Sequence, residues 1–211
     1  MATKVDTIIS ANSEKMPMFT YIGLGGIVLN LITMFFVPAT SGYSISTLYV
    51  LLGCISTACS GVAMYYVYDS LKKGMINLEQ PCTSLSQFCS YGVLAMSALS
   101  ILTMLMAIGS NSLAGTGLFA VLLSLVSIVY FVLYIILGCK IMSNYEGKLK
   151  TLGIVMVAAP AVMILGYIIG FFAGGIGGAG TLNTIMSVIG AGISAYTYIL
   201  AHDVVTGKSL F

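Results

Sequence analysis

Every Lys, Asp, Glu and His in this chain falls in alternate gaps between six long apolar stretches, and the intervening gaps carry none. The stretches run from about Pro17 to Val37, Ile45 to Tyr68, Phe88 to Gly109, Gly117 to Cys139, Thr151 to Phe172 and Leu182 to Ala201. Each is long enough to cross about 30 Å of hydrocarbon as a helix. The charged gaps are the amino-terminal segment (Lys4, Asp6, Glu14, Lys15), the second connection (Asp69, Lys72, Lys73, Glu79), the fourth (Lys140, Glu146, Lys148, Lys150) and the tail (His202, Asp203, Lys208). The uncharged ones lie around 38–44, 110–116 and 173–181. Lysines collect on the cytoplasmic side of membrane proteins, so the pattern predicts six spans with both termini cytoplasmic. Removing or adding one span would place charge on both sides of the membrane.

Composition agrees. Charged residues make up 7% of the 211-residue chain and hydrophobic ones 59%. A water-facing domain needs roughly 25% charge, so lipid must be the main solvent here. The predicted fold class is all-α: a polytopic transmembrane helix bundle over 17–201, with a cytoplasmic segment 1–16 and a cytoplasmic tail 202–211. Net charge is +2, and no basic stripe exists to neutralise phosphates, which excludes nucleic-acid binding. The first stretch is longer than the 7–15 residues of a typical signal-peptide core, so it reads as an uncleaved span. The six spans group into three hairpins. Gly61-Val62-Ala63-Met64-Tyr65 aligns with Gly192-Ile193-Ser194-Ala195-Tyr196, an internal likeness that duplication or a restricted apolar alphabet would both produce.

Small residues form the strongest internal pattern. Gly53, Thr57 and Gly61 recur every four residues on one face of the second helix, with Ser56 and Ser60 beside them. Gly166, Gly170 and Gly174 repeat this spacing in the fifth stretch. In the sixth, Ser187, Ala191 and Ala195 share a face, flanked by Gly190 and Ser194. Helices in lipid associate by close backbone approach, so these faces predict packing seams within the chain or between subunits. The other reading is a narrow path lined by Ser56, Thr57, Ser60, Ser187 and Ser194. Asn30 and Asn183 are the notable polar residues inside spans, and Asn30 is expected to hydrogen-bond between helices. Pro160 should kink the fifth helix. The run Gly174–Gly180 has no cation and follows a membrane helix, so it reads as a turn and not as a phosphate loop.

Reaction signatures are lacking. No ionisable residue lies near mid-membrane, where a proton-driven pump commonly has one. His202 sits at the end of the last helix and reads as an interfacial cap that complements the helix dipole. Tyr65, Tyr66, Tyr68, Tyr196 and Tyr198 lie toward the charged ends and read as a headgroup-level aromatic belt. The five cysteines show no C-x-x-C pair. They read as apolar fillers, with lipidation of Cys82 or Cys139 as the functional alternative. No catalytic residue, cofactor or metal is expected. The function that follows is a non-catalytic integral membrane subunit or scaffold, packing with partner membrane proteins or with itself through small-residue faces. The alternative is a small oligomeric channel or facilitator for an ion or neutral solute.

Overall fold

The computed structural model describes residues 8, 12–37, 40–41, 44–76, 82–110, 117–173 and 179–210. Within them the chain forms six helices: α1 (Met16–Phe36), α2 (Thr47–Ile76), α3 (Thr83–Ser110), α4 (Gly117–Asn144), α5 (Gly147–Ala173) and α6 (Ala179–Thr206). All six are long and apolar enough to cross a membrane. Between α1 and α2 a two-residue antiparallel ladder joins β1 (Thr40–Ser41) to β2 (Ser44–Ile45), with Thr40 opposite Ile45. Every expected span is present, and the fold class is the expected helical one.

The helices outrun the apolar stretches at their charged ends. Asp69, Lys72 and Lys73 lie within α2, Lys140 within α4, Lys148 and Lys150 within α5, and His202 and Asp203 within α6. The 202–211 tail therefore begins as helix and leaves it only after Thr206. The physical reason is simple. Hydropathy reports the hydrocarbon, whereas the hydrogen-bonded helix persists through the headgroup region. The helices α2 to α6 hold 27 to 30 residues each. That is about 40–45 Å of rise, matching a bilayer with its headgroups. Pro17 occupies the first turn of α1, where a missing N–H is harmless. Tyr145 and Glu146 alone separate α4 from α5. That turn closes on Gly147 at φ 62°, a conformation glycine adopts without steric cost. Gly207 at φ 69° ends α6 in the same way.

Consecutive helices pack side by side, α6 returns against α1, and α2 also touches α6. The result is a closed ring of six in chain order. Glycines set the close crossings. A Cβ on Gly23 would lie 2.8 Å from the Tyr198 ring and 2.9 Å from Ala63, so α1 fits between α2 and α6 only with glycine there. A Cβ on Gly153 would lie 2.8 Å from the Gly138 carbonyl oxygen, so α4 and α5 meet backbone to backbone. Packing of this kind replaces the hydrophobic drive that lipid removes.

The buried core lies at the charged end. Leu71, Met75, Leu137, Ile141, Leu149, Leu152 and Val204 are all at most 1% exposed and form one cluster. Phe36, Leu118 and Ile128, by contrast, are 80%, 70% and 61% exposed on the outside of the ring. Apolar surface of that extent is stable facing lipid and a liability facing water. Ile8 docks on the charged end: its N–H donates to the Val204 carbonyl at 2.8 Å, and its side chain fills the space that a Cβ on Gly74 would occupy. Asn12 donates to Asp69 at 2.8 Å and accepts from Lys73 at 3.3 Å. Lys148 pairs with Asp203 at 2.8 Å. Polar and charged groups from four segments thus meet at one end of the bundle.

Candidate functional site

A cavity of about 650 Å³ opens inside the ring, lined by α1, α2, α4, α5 and α6. Serines supply much of its polar wall. Ser56 and Ser60 come from α2, and Ser187 and Ser194 from α6, with Gly190 and Ala191 between them. The two serine pairs were legible in the sequence as one face each, and the ring closure brings the faces together. Asn30 adds its amide from α1. From α4 come Tyr130, Phe131 and Tyr134, and from α5 Ala159, Pro160 and Gly166. Counting 1.5 Å per residue, the lining spans about 12 to 30 Å from the charged helix ends. That is mid-membrane depth.

Tyrosines close the cavity toward the charged end. Tyr68 and Tyr130 share a hydrogen bond of 2.6 Å between their hydroxyls. Tyr130 stacks on Tyr134 with ring centroids 5.8 Å apart, and Tyr68 meets both rings edge-on. Tyr198 donates to the Ser60 carbonyl at 3.0 Å. Behind this layer lies the apolar core.

The polar groups on the cavity wall fall into two sets. Ser56 donates to the Gly26 carbonyl at 2.9 Å, holding α2 against α1. Ser60 hydrogen-bonds through its side chain to Tyr198. The side chains of Asn30, Ser194 and Tyr134, in contrast, make no hydrogen bond among the described residues. Elsewhere the buried hydroxyls of Thr20 and Ser70 also lack a partner among the described residues, but many other serines and threonines are bonded. Thr33, Thr103, Ser124, Ser127 and Thr197 each donate to the carbonyl four residues earlier. That is the usual resting state of a hydroxyl in a membrane helix. Tyr134 is only 6% exposed. A hydroxyl at such depth without a partner is costly unless something polar occupies the space in front of it.

Several expectations need correction. Asn30 lines the cavity and makes no interhelical hydrogen bond among the described residues. Thr57 does not line it; Thr57 shares a face with Gly53 and Gly61, which meet Met104 and Ser97 of α3. The small-residue seams are largely used inside the chain: Gly26 fits against Cys59 of α2, and Gly166 against Met186 of α6. Tyr68 and Tyr198 are 1% and 3% exposed, so they belong to the interior and not to a belt. Tyr196 is exposed, while Tyr65 and Tyr66 are half-buried, with Tyr66 stacked on Phe19. Depth along a helix follows from sequence position, but rotation about its axis does not, and rotation decides between belt and core.

His202 is buried, its Nδ1 3.3 Å from Asp203, so it does not cap at an exposed interface. It borders a second hollow of about 410 Å³ at the charged end, with Ser13, Glu14 and Lys208. Cys82 is fully buried, and burial pushes its thiol above the ordinary value against the opposing pull of Lys140 and Asn144. Lipidation there lacks access to the thiol. Cys139 is exposed. Gly61 is buried against Ser97 while Gly192 has open space around it, so the two aligned segments occupy unlike environments. The helix α5 runs unbroken through Pro160, which itself borders the cavity. Gly174 and the glycine run up to residue 178 lie outside the described residues, as do the side-chain surroundings of Gly170 and Asn183.

Tyr134 reads from the sequence as another belt tyrosine toward the charged side, whereas it lines the cavity; the place of Tyr130 and the partnerless state of Ser194 were not legible there. The i, i+4 spacing of the two tyrosines was the available signal. Among the described residues, no group of three His, Cys, Asp or Glu could hold a metal ion. In comparisons with known proteins, no family model, no curated protein and no solved structure matches the chain.

Proposed function

We propose that this chain is a membrane facilitator that binds a small uncharged solute within its helix ring and passes it across the bilayer, with the lysine-rich end in the cytoplasm. One observation carries the reading. Three polar side chains without partners among the described residues, from α1, α4 and α6, face a single cavity at mid-membrane depth. Among the described residues, no Lys, Asp, Glu or His borders that cavity. Ions and protons would need a charge or a carbonyl cage there, whereas neutral solutes need only hydroxyls and amides. The volume lies in the range of small-molecule sites, roughly 300–1,000 Å³. Passage requires the tyrosine layer to part, because Tyr130, Tyr134 and Tyr198 separate the cavity from the charged end.

The scaffold reading loses part of its support, since Gly53, Gly61 and Gly166 are occupied by intrachain contacts. It retains Gly25 and Gly192, which have open space around them and would let a partner helix approach closely.

Purified protein in liposomes tests the proposal. Neutral solutes should enter faster than in protein-free vesicles, while potassium chloride should not. Ser194→Leu should abolish the difference by filling the cavity, and Ser124→Leu on the outer face of α4 should preserve it. Uptake that survives Ser194→Leu, or that never exceeds the protein-free rate, contradicts the proposal.

A further inference from the structure

We infer that the solute is a small polyol, a molecule whose hydroxyl groups each donate and accept a hydrogen bond. The inference rests on the facilitator reading and concerns the chemistry of the same cavity. The groups without a partner among the described residues are an amide (Asn30), an aliphatic hydroxyl (Ser194) and a phenol (Tyr134). Each of them can both donate and accept. A site built from dual-role groups satisfies a ligand whose own groups are dual-role, because every hydroxyl can donate to one neighbour and accept from another. A carboxylate or phosphate would instead call for fixed donors and positive charge, and a quaternary ammonium for an aromatic cage with a nearby anion. The rest of the wall suits the carbon skeleton of a polyol. The rings of Tyr130 and Phe131, with Met64 and Met186, offer apolar surface for its C–H groups.

Tyr134 is the sharpest probe. Its ring packs on Tyr130 and Tyr68, so Tyr134→Phe keeps the packing and removes only a hydroxyl that has no partner among the described residues. A residue with a purely structural role would be indifferent to that change. A ligand held by that hydroxyl would lose one hydrogen bond, worth about three- to tenfold in affinity.

The test uses the full chain in phosphatidylcholine vesicles, with swelling followed by light scattering in glycerol, erythritol and urea. The polyols should drive swelling faster than in protein-free vesicles, and faster than urea does relative to its own control. Tyr134→Phe should slow erythritol entry about three- to tenfold at low concentration. If urea entry is accelerated as much as or more than polyol entry, the polyol class is wrong and facilitation stands. If no neutral solute is accelerated, facilitation itself fails. If Tyr134→Phe matches the unsubstituted protein, the cavity site is misassigned even where polyols pass.

Discussion

At Gly153 the neighbouring helix leaves no room for a side chain. A Cβ there would stand 2.8 Å from both the Gly138 carbonyl oxygen and the Met142 backbone nitrogen, and backbone cannot swing aside as a side-chain tip can. Gly153→Ala should therefore destabilise the bundle by about 1–3 kcal/mol, the usual range for overpacking. Gly192 is the matched control. It is exposed, with open space where a Cβ would go, so Gly192→Ala should be neutral or should stabilise by up to about 1 kcal/mol through helix propensity. Thermal unfolding of the two variants in the same detergent reads the contrast. Equal midpoints would mean the α4–α5 crossing is looser than described. Asp203 gives the polar counterpart. It pairs with Lys148, contacts His202 and accepts the Leu210 N–H at 3.1 Å, with its side chain 9% exposed. Asp203→Asn should lower stability by about 1–3 kcal/mol, because bonds to a charged acceptor are lost together. Lys148→Met should cost less, since the lysine is half in water and its charge is already well hydrated. A larger loss for the lysine variant would contradict this ranking.

At the scale of the element, the sequence revealed the spans better than their rotation. Six apolar runs and alternating charge were enough to count helices, because hydrocarbon thickness fixes a minimum length. The Gly53/Gly61 face was legible as a packing seam because four-residue spacing keeps side chains on one face wherever the helix sits. The serine faces of α2 and α6 were legible for the same reason, as candidates whose meeting depended on ring closure. Asn30, Tyr68, Tyr134 and Tyr198 were not readable in this way. Apolar residues surround every helix, so no stripe marks the inward side of a membrane helix as it does in water. What fixes their orientation is the set of close glycine crossings, and those are tertiary. A prediction follows for α2 and α3. Gly61→Leu should separate them, since Ser97 sits where the new side chain would go. Cross-linking between cysteines placed at Gly53 and Met104 should then fall well below its level in the unsubstituted background. Unchanged cross-linking would show that α3 does not depend on that seam.

At the scale of the whole molecule, the ring is sealed at one end and hollow toward the middle. The charged end holds the apolar core, the Lys148–Asp203 and Lys73–Asp69 ion pairs and the docked Ile8. The cavity lies beyond the tyrosine layer. Such an asymmetric body fits the proposed facilitator, which would admit solute to mid-depth and open its tight end only in passing. All of it depends on the charged helix ends sharing one aqueous compartment. The most direct measurement is modification of lysines by a membrane-impermeant amine reagent applied from each side of sealed, oriented vesicles, with sites identified by mass spectrometry. Lys73, Lys148 and Lys208 should be modified from the same side and spared from the other. Modification of any one of them from the opposite side to the rest would contradict the six-span ring and the cavity built on it.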